Sequence, residues 1–268
     1  MTYIDGETRI VAILGDPIAQ AKSPQLFNAL FERHRVNAAL VPFHVPATNL
    51  GTVLEGLRGI VNLAGVVVTV PHKLHATSYA TQLSDSAQQT GAVNCLRREV
   101  DGSWTGAMFD GVGFVKGLEA RQHIVRGKSA LIVGTGGAGV AVAHALIDAG
   151  IVSLDLFDRS EASLQRLAGS LRARGSKTVI GESEACARAK HDLVVNATPC
   201  GMRLDDPVPI DLAEAAAHAV IADLIMKPAE TRLLENAKAR GLVVHPGRYL
   251  LENSVEAIAA FLGLIAPA

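Results

Sequence analysis

The chain has 268 residues, 49 % of them hydrophobic, with 25 Lys and Arg against 26 Asp and Glu. That is enough apolar material for one large core or two ordinary ones, and a near-balanced charge without a basic run excludes a binder of nucleic-acid phosphates, which needs clustered cations. No stretch reaches the roughly 18 to 20 uninterrupted apolar residues of a membrane span, and Met1 to Arg9 is polar and acidic, unlike a signal peptide, so a cytoplasmic protein with no membrane partner is expected.

The first third alternates short apolar runs with helical patterns. Arg9 to Leu14 reads as a strand, Pro24 to Arg35 as a helix, Ala39 to His44 as a strand, Leu50 to Leu57 as a helix and Asn62 to Val70 as a strongly apolar strand. Such alternation predicts an α/β unit with a mainly parallel sheet. Unusual polar residues follow two of its strands, in Gly15 to Pro24 and in Thr69-Val70-Pro71-His72-Lys73. Between Ser84 and Gly113 the periodicity breaks up, which reads as a crossing between two domains, and Asp110 to Arg121 is again helical.

Ser129 to Val133 is then a short β-branched run that ends in Gly134-Thr135-Gly136-Gly137-Ala138-Gly139, ahead of a helical pattern from Val140 to Ala149. A dinucleotide site needs this order of strand, glycine turn and helix, because glycine admits a pyrophosphate to the backbone and the N–H groups of a helix N-terminus stabilise its charge. A glycine cluster alone also fits an ordinary βα turn. Here a second strand, Val152 to Phe157, ends in Asp158, about 20 residues on, where an acid accepts hydrogen bonds from an adenosine ribose.

Later strands are predicted at Thr178 to Ile180, Leu193 to Asn196, Val220 to Ala222 and Leu242 to Val244, with a helix over Ala229 to Arg240. Leu250, Leu251, Val255, Ile258 and Phe261 have helical spacing for one buried face, so the tail is expected to pack back on the first domain. The division predicted is a first domain of residues 1–109 plus 247–268, and a dinucleotide-binding domain of residues 110–246.

A nicotinamide dehydrogenase needs one group to move a hydroxyl proton as the hydride leaves. Lys73 is the candidate, because it follows a strand end where open α/β sheets place ligand groups, although most lysines are merely solvated. Asp110 is either a helix cap or a cleft residue. His72 reads as a partly exposed bystander, and the other histidines have no ligand spacing. Cys95, Cys186 and Cys200 are scattered, which suggests reduced thiols, no disulfide and no metal.

Taken together, several runs make the chain similar to the shikimate/quinate dehydrogenases. They are Gly15-Asp16-Pro17-Ile18 with Lys22-Ser23-Pro24, Val68 to Lys73, Gly91-Ala92-Val93-Asn94, Asp110-Gly111, the glycine turn, and Asn196-Ala197-Thr198-Pro199 with Gly201-Met202. Their order covers essentially the whole chain. The resemblance implies a substrate domain, completed by the C-terminal helix, facing a Rossmann domain.

It also implies that Lys73 is the proton-transfer residue paired with Asp110, and that Ser23, Thr69 and Asn94 contact the substrate. Gly134, Thr135, Gly136, Gly137 and Ala138 would lie under the pyrophosphate, with Asp158, Arg159, Asn196, Thr198, Pro199 and Gly247 close to the cofactor. The partner implied is a small hydroxy acid; a homodimer is one assembly open to such a chain.

The departures from that family's pattern fall where the substrate would bind. Ala21 replaces its usual serine, Val67 an asparagine, Met108-Phe109 an Asn-Thr-like pair, Met226 a tyrosine and Asn253 a glutamine. Lost donors should cost discrimination for a polyhydroxy acid. Asp158-Arg159-Ser160 stands where members using NADP commonly have Asn-Arg-Thr. A carboxylate repels a 2′-phosphate and suits a free 2′-hydroxyl, so NAD is favoured over NADP even though Arg159 remains. The competing expectation is a nucleotide-dependent binding or regulatory protein with an eroded pocket.

Overall fold

The computed structural model describes residues 4–182 and 190–266, so Cys186 lies outside the described part. The chain forms two compact units, Met1–Phe109 with Asn253–Ala268, and Asp110–Glu252.

The first unit begins with β1 (Arg9–Gly15), α1 (Ser23–His34), β2 (Ala38–His44), α2 (Leu50–Arg58) and β3 (Leu63–Val68). Each lies within about two residues of its predicted bounds, because β1 and β3 are apolar runs buried on both faces, as interior parallel strands must be. β2 pairs with β1 in parallel and forms the edge of the sheet. Pro42 is tolerated there because an edge strand can lose an N–H without breaking a second ladder.

The stretch from Ser84 to Gly113 is not a mere crossing. It contains α3 (Asp85–Thr90), β5 (Cys95–Arg98) and β6 (Trp104–Ala107), and with β4 (Gln82–Leu83), which immediately precedes it, the strands complete a six-stranded sheet of order β2-β1-β3-β5-β6-β4. β5 runs antiparallel to both β3 and β6, so the sheet is mixed. The strands are too short, and too mixed in polarity at Arg97 and Arg98, for a two-residue period to show. Trp104 and Leu96 are nevertheless fully buried.

The second unit contains α4 (Asp110–Ala120), β7 (Ser129–Val133), α5 (Gly137–Asp148), β8 (Ser153–Phe157), α6 (Glu161–Ala173), β9 (Val179–Glu182), β10 (Leu193–Asn196), β11 (Val220–Asp223), α7 (Arg232–Ala239) and β12 (Val243–Pro246). Its six strands are all parallel, in the order β12-β11-β10-β7-β8-β9. From β7 the chain moves outward first through β8 and β9, then returns to the other side through β10. That reversal is a topological switch point, where the loops after two neighbouring strands diverge and leave a crevice.

α8 (Arg248–Phe261) starts in the second unit and continues, from Asn253, in the first. In its later part Val255, Ile258 and Ala259 are buried, the Phe261 ring lies 5.5 Å from that of Phe109, and the Phe261 carbonyl accepts a bond from Arg97.

Candidate active site

In the second unit, β7 delivers the chain to Gly134 and α5 begins at Gly137, three residues earlier than the apolar pattern suggested. Gly136 is the N-cap and, being glycine, supplies no side-chain cap to the helix end. Gly134 has φ +101°, a region closed to most side chains, and a Cβ there would stand 2.8 Å from the Ala197 carbonyl carbon. At Gly139 a Cβ would stand 2.0 Å from the Gly134 carbonyl oxygen. At Gly136, which is exposed, a Cβ would meet nothing within 4 Å. The turn is therefore packed from below and open above, a cradle that fits a pyrophosphate.

The turn forms one side of a groove of about 1090 Å³, which also touches Phe157, Asp158, Arg159, Thr198, Cys200 and Ile210. Asp158 Oδ2 accepts the Thr135 main-chain N–H at 2.6 Å and the Thr135 hydroxyl at 2.8 Å, while Oδ1 accepts the Ser160 N–H at 2.8 Å. Burial raises the pKa of this carboxyl, but the Ser160 and Thr135 donors outweigh it and hold the group below its ordinary value. Asp158 is thus a fixed anion at the wall of the groove. Arg159 beside it is exposed.

Asn196, fully buried at the end of β10, contributes shape. Its Oδ1 accepts the Thr198 N–H at 3.0 Å and the Thr198 hydroxyl at 2.7 Å, and its Nδ2 donates to the Cys200 carbonyl and to Asp223 Oδ1, both at 3.2 Å. Four bonds satisfy the side-chain amide entirely within the protein. Asp223, also fully buried, accepts in addition the Thr231 hydroxyl at 2.7 Å and the Ile225 N–H at 3.0 Å, and burial pushes its pKa up. Asp223 and Thr231 were not singled out from sequence. An aspartate closing the apolar run Val-Ile-Ala-Asp at a strand end was the one available signal.

Pro199 is exposed and Ala138 half-buried. Gly247 is buried where the chain leaves β12, and a Cβ there would stand 2.6 Å from the Ile225 carbonyl oxygen. Met226 is half-buried in the segment after β11. Asp110 is the first residue of α4 and is buried. α4 lies so close to α5 that a Cβ on Gly111 would stand 2.2 Å from the Ala141 carbonyl oxygen.

In the first unit, the segment after β3 carries Thr69 and Lys73. A Cβ on Gly15 would stand 2.6 Å from Thr69 Cγ2, so glycine is what lets the two strand-end loops meet. The Thr69 N–H donates to the Leu14 carbonyl and the Asp16 N–H to the Val70 carbonyl, both at 3.0 Å. The Lys73 carbonyl accepts the Val93 N–H at 2.9 Å, which ties it to the run before Asn94; its side chain is half-buried.

The buried Asn94 accepts the Phe109 N–H on Oδ1 at 3.0 Å. Ser23 is buried at the start of α1, with Ala21 half-buried ahead of it. Val67 and Met108 are buried, and Asn253 is half-buried on α8. His72 is not partly exposed. It is fully buried, with Nε2 2.7 Å from the Val45 carbonyl oxygen, because the turn after Pro71 directs it into the unit's interior.

The family model "Shikimate dehydrogenase substrate binding domain" matches residues 13–96. The shikimate dehydrogenase (NADP(+)) of Acidiphilium cryptum is 37 % identical over 262 residues, which cover 97 % of this chain and 93 % of the relative. The chain belongs to the shikimate dehydrogenase family. Among solved structures, shikimate 5-dehydrogenase from Thermus thermophilus, in complex with NADP(H) and shikimate, is similar with a TM-score of 0.86 and 28 % identity, over 97 % of this chain and 95 % of that one. The ligand-free 5-ketofructose reductase of Gluconobacter sp. strain CHM43 has a TM-score of 0.86 at 23 % identity, over 96 % of this chain and 94 % of that one, a likeness of fold alone.

No helix among the described residues is long and apolar enough to cross a membrane.

Proposed function

We propose that this member of the family is a nicotinamide-dinucleotide oxidoreductase that oxidises a ring hydroxyl of a shikimate- or quinate-like hydroxy acid, or reduces the matching ketone. The observation that carries the reading is the switch point. There an open glycine turn and the turn built on Asn196 flank one groove, in a chain whose curated relative shares 37 % of its residues along nearly the whole length.

When bound, the nicotinamide supplies a hydride acceptor at its C4. Lys73 Nζ takes the hydroxyl proton as the carbinol carbon loses its hydride, so two electrons and one hydrogen leave the carbon while the proton stays on the protein. The family resemblance gives Asp110 the role of orienting Lys73. Ser23, Thr69 and Asn94 hold the hydroxyls and carboxylate, and Gly134, Gly136, Gly137 and the start of α5 hold the pyrophosphate.

We favour NAD over NADP. The Acidiphilium cryptum relative is named for NADP(+), but the fixed Asp158 anion at the groove wall would repel a 2′-phosphate bound beside it, which supports NAD here. The apolar Val67 and Met108, at positions where hydrogen-bonding residues are usual in the family, support a substrate less polar than shikimate. Screening shikimate, quinate and less polar ring acids with NAD and NADP side by side tests both points. The reading fails if no cyclic hydroxy acid reduces either cofactor, and the binding or regulatory role then takes its place.

A further inference from the structure

We infer that Thr135 is a cofactor-specificity residue, acting through Asp158 rather than on the cofactor itself. The inference rests on the reading of Asp158 as the feature that favours NAD, and it adds what keeps that feature in place.

A carboxylate at the end of a strand can turn about its χ angles, and one that swings aside would leave room for a 2′-phosphate beside Arg159. Here it is held at both oxygens. Oδ2 receives two donors from a single residue, the main-chain N–H of Thr135 at 2.6 Å and its hydroxyl at 2.8 Å, and Oδ1 receives the Ser160 N–H at 2.8 Å.

Of the three, only the Thr135 hydroxyl comes from a side chain, and Thr135 is 6 % exposed, with its side chain turned to Asp158 and not to the groove. Any residue at position 135 would supply the N–H. Threonine or serine alone among small residues adds the second, charge-assisted bond, the kind that keeps an acid ionised and oriented.

Titration calorimetry of NAD and NADP into the full chain tests this, with the ratio of the two Kd values as the readout. Hydrogen bonds to charged groups are worth enough to change binding by about tenfold or more. Thr135→Val, which keeps the volume and the main-chain donor, is expected to lower the preference for NAD by about tenfold, mainly through weaker NAD binding. Thr135→Ser is expected to keep the ratio within about twofold of the wild type. Asp158→Asn is expected to lower it at least as far as Thr135→Val.

If Asp158→Asn lowers the ratio and Thr135→Val does not, or if Thr135→Ser falls with Thr135→Val, the role given to Thr135 is wrong and the reading of Asp158 stands. If the wild type shows no preference for NAD, or Asp158→Asn leaves the ratio unchanged, the reading of Asp158 itself fails.

Discussion

The side-chain amide of Asn196 donates to Asp223 Oδ1 at 3.2 Å, and both residues are fully shielded from solvent. The bond joins the ends of two neighbouring strands and so sets the turn that carries Thr198 and Cys200 along the groove. Thr231 holds the other oxygen of Asp223 and also caps α7 through the Leu234 N–H. Thr231→Val should destabilise the protein by about 1–3 kcal/mol, because a buried acid loses a donor and a helix loses its cap. Urea denaturation reads that loss, and Thr231→Ser should recover most of it.

His245 supplies a pH dependence. Its ring is 1 % exposed between Phe114, His123 and Tyr249, neither ring nitrogen has a hydrogen-bond partner, and burial, with His123 and Arg121 nearby, lowers its pKa to about 4. The folded value lies below the unfolded 6.5, so the unfolded chain takes up a proton that the folded chain refuses. Its contribution to stability is whole above about pH 6.5 and is lost as the pH falls toward about 4. His245→Phe should keep stability at pH 7 and flatten the acid loss by up to ~3 kcal/mol, read by denaturation at about pH 7 and about pH 4.5.

Gly139→Ala should abolish cofactor binding. Its Cβ would stand 2.0 Å from a main-chain oxygen of the glycine turn, and backbone cannot yield as the tip of a flexible side chain can. Calorimetry with NAD should show no binding, whereas Gly136→Ala, whose Cβ meets open space, should keep the fold and weaken only cofactor affinity.

The proposed drop in pocket polarity can be reversed. Ala21→Ser with Val67→Asn should raise kcat/KM on shikimate by about tenfold or more, since a site that pairs a substrate hydroxyl discriminates strongly for it. Val67 is 6 % exposed, so an unpaired asparagine there should also cost about 1–3 kcal/mol, which a thermal scan would detect.

Much of this was legible in the sequence, for a physical reason. Strands buried on both faces are continuous apolar runs, so β7 and β10 fall where their residues predict, and the glycine turn marks the switch point. What escaped is what leaves no periodic signal. β5 and β6 are four residues each, and β5 carries two arginines, so their place in the sheet comes from tertiary pairing alone. The early start of α5 follows from Gly136 acting as cap, where the apolar pattern begins only at Val140. His72 has the composition of a surface residue and is buried by the turn that precedes it. Asp223 and Thr231 lie eight positions apart in segments without a motif and matter only because β11 adjoins β10.

The most direct measurement is the rate of NAD reduction by the wild type and by Lys73→Ala on the hydroxy acid that the screen selects. If Lys73 moves the hydroxyl proton, the variant should bind NAD as the wild type does, while kcat falls by about 10²–10⁴. Full turnover by Lys73→Ala on that substrate would contradict the proposed mechanism.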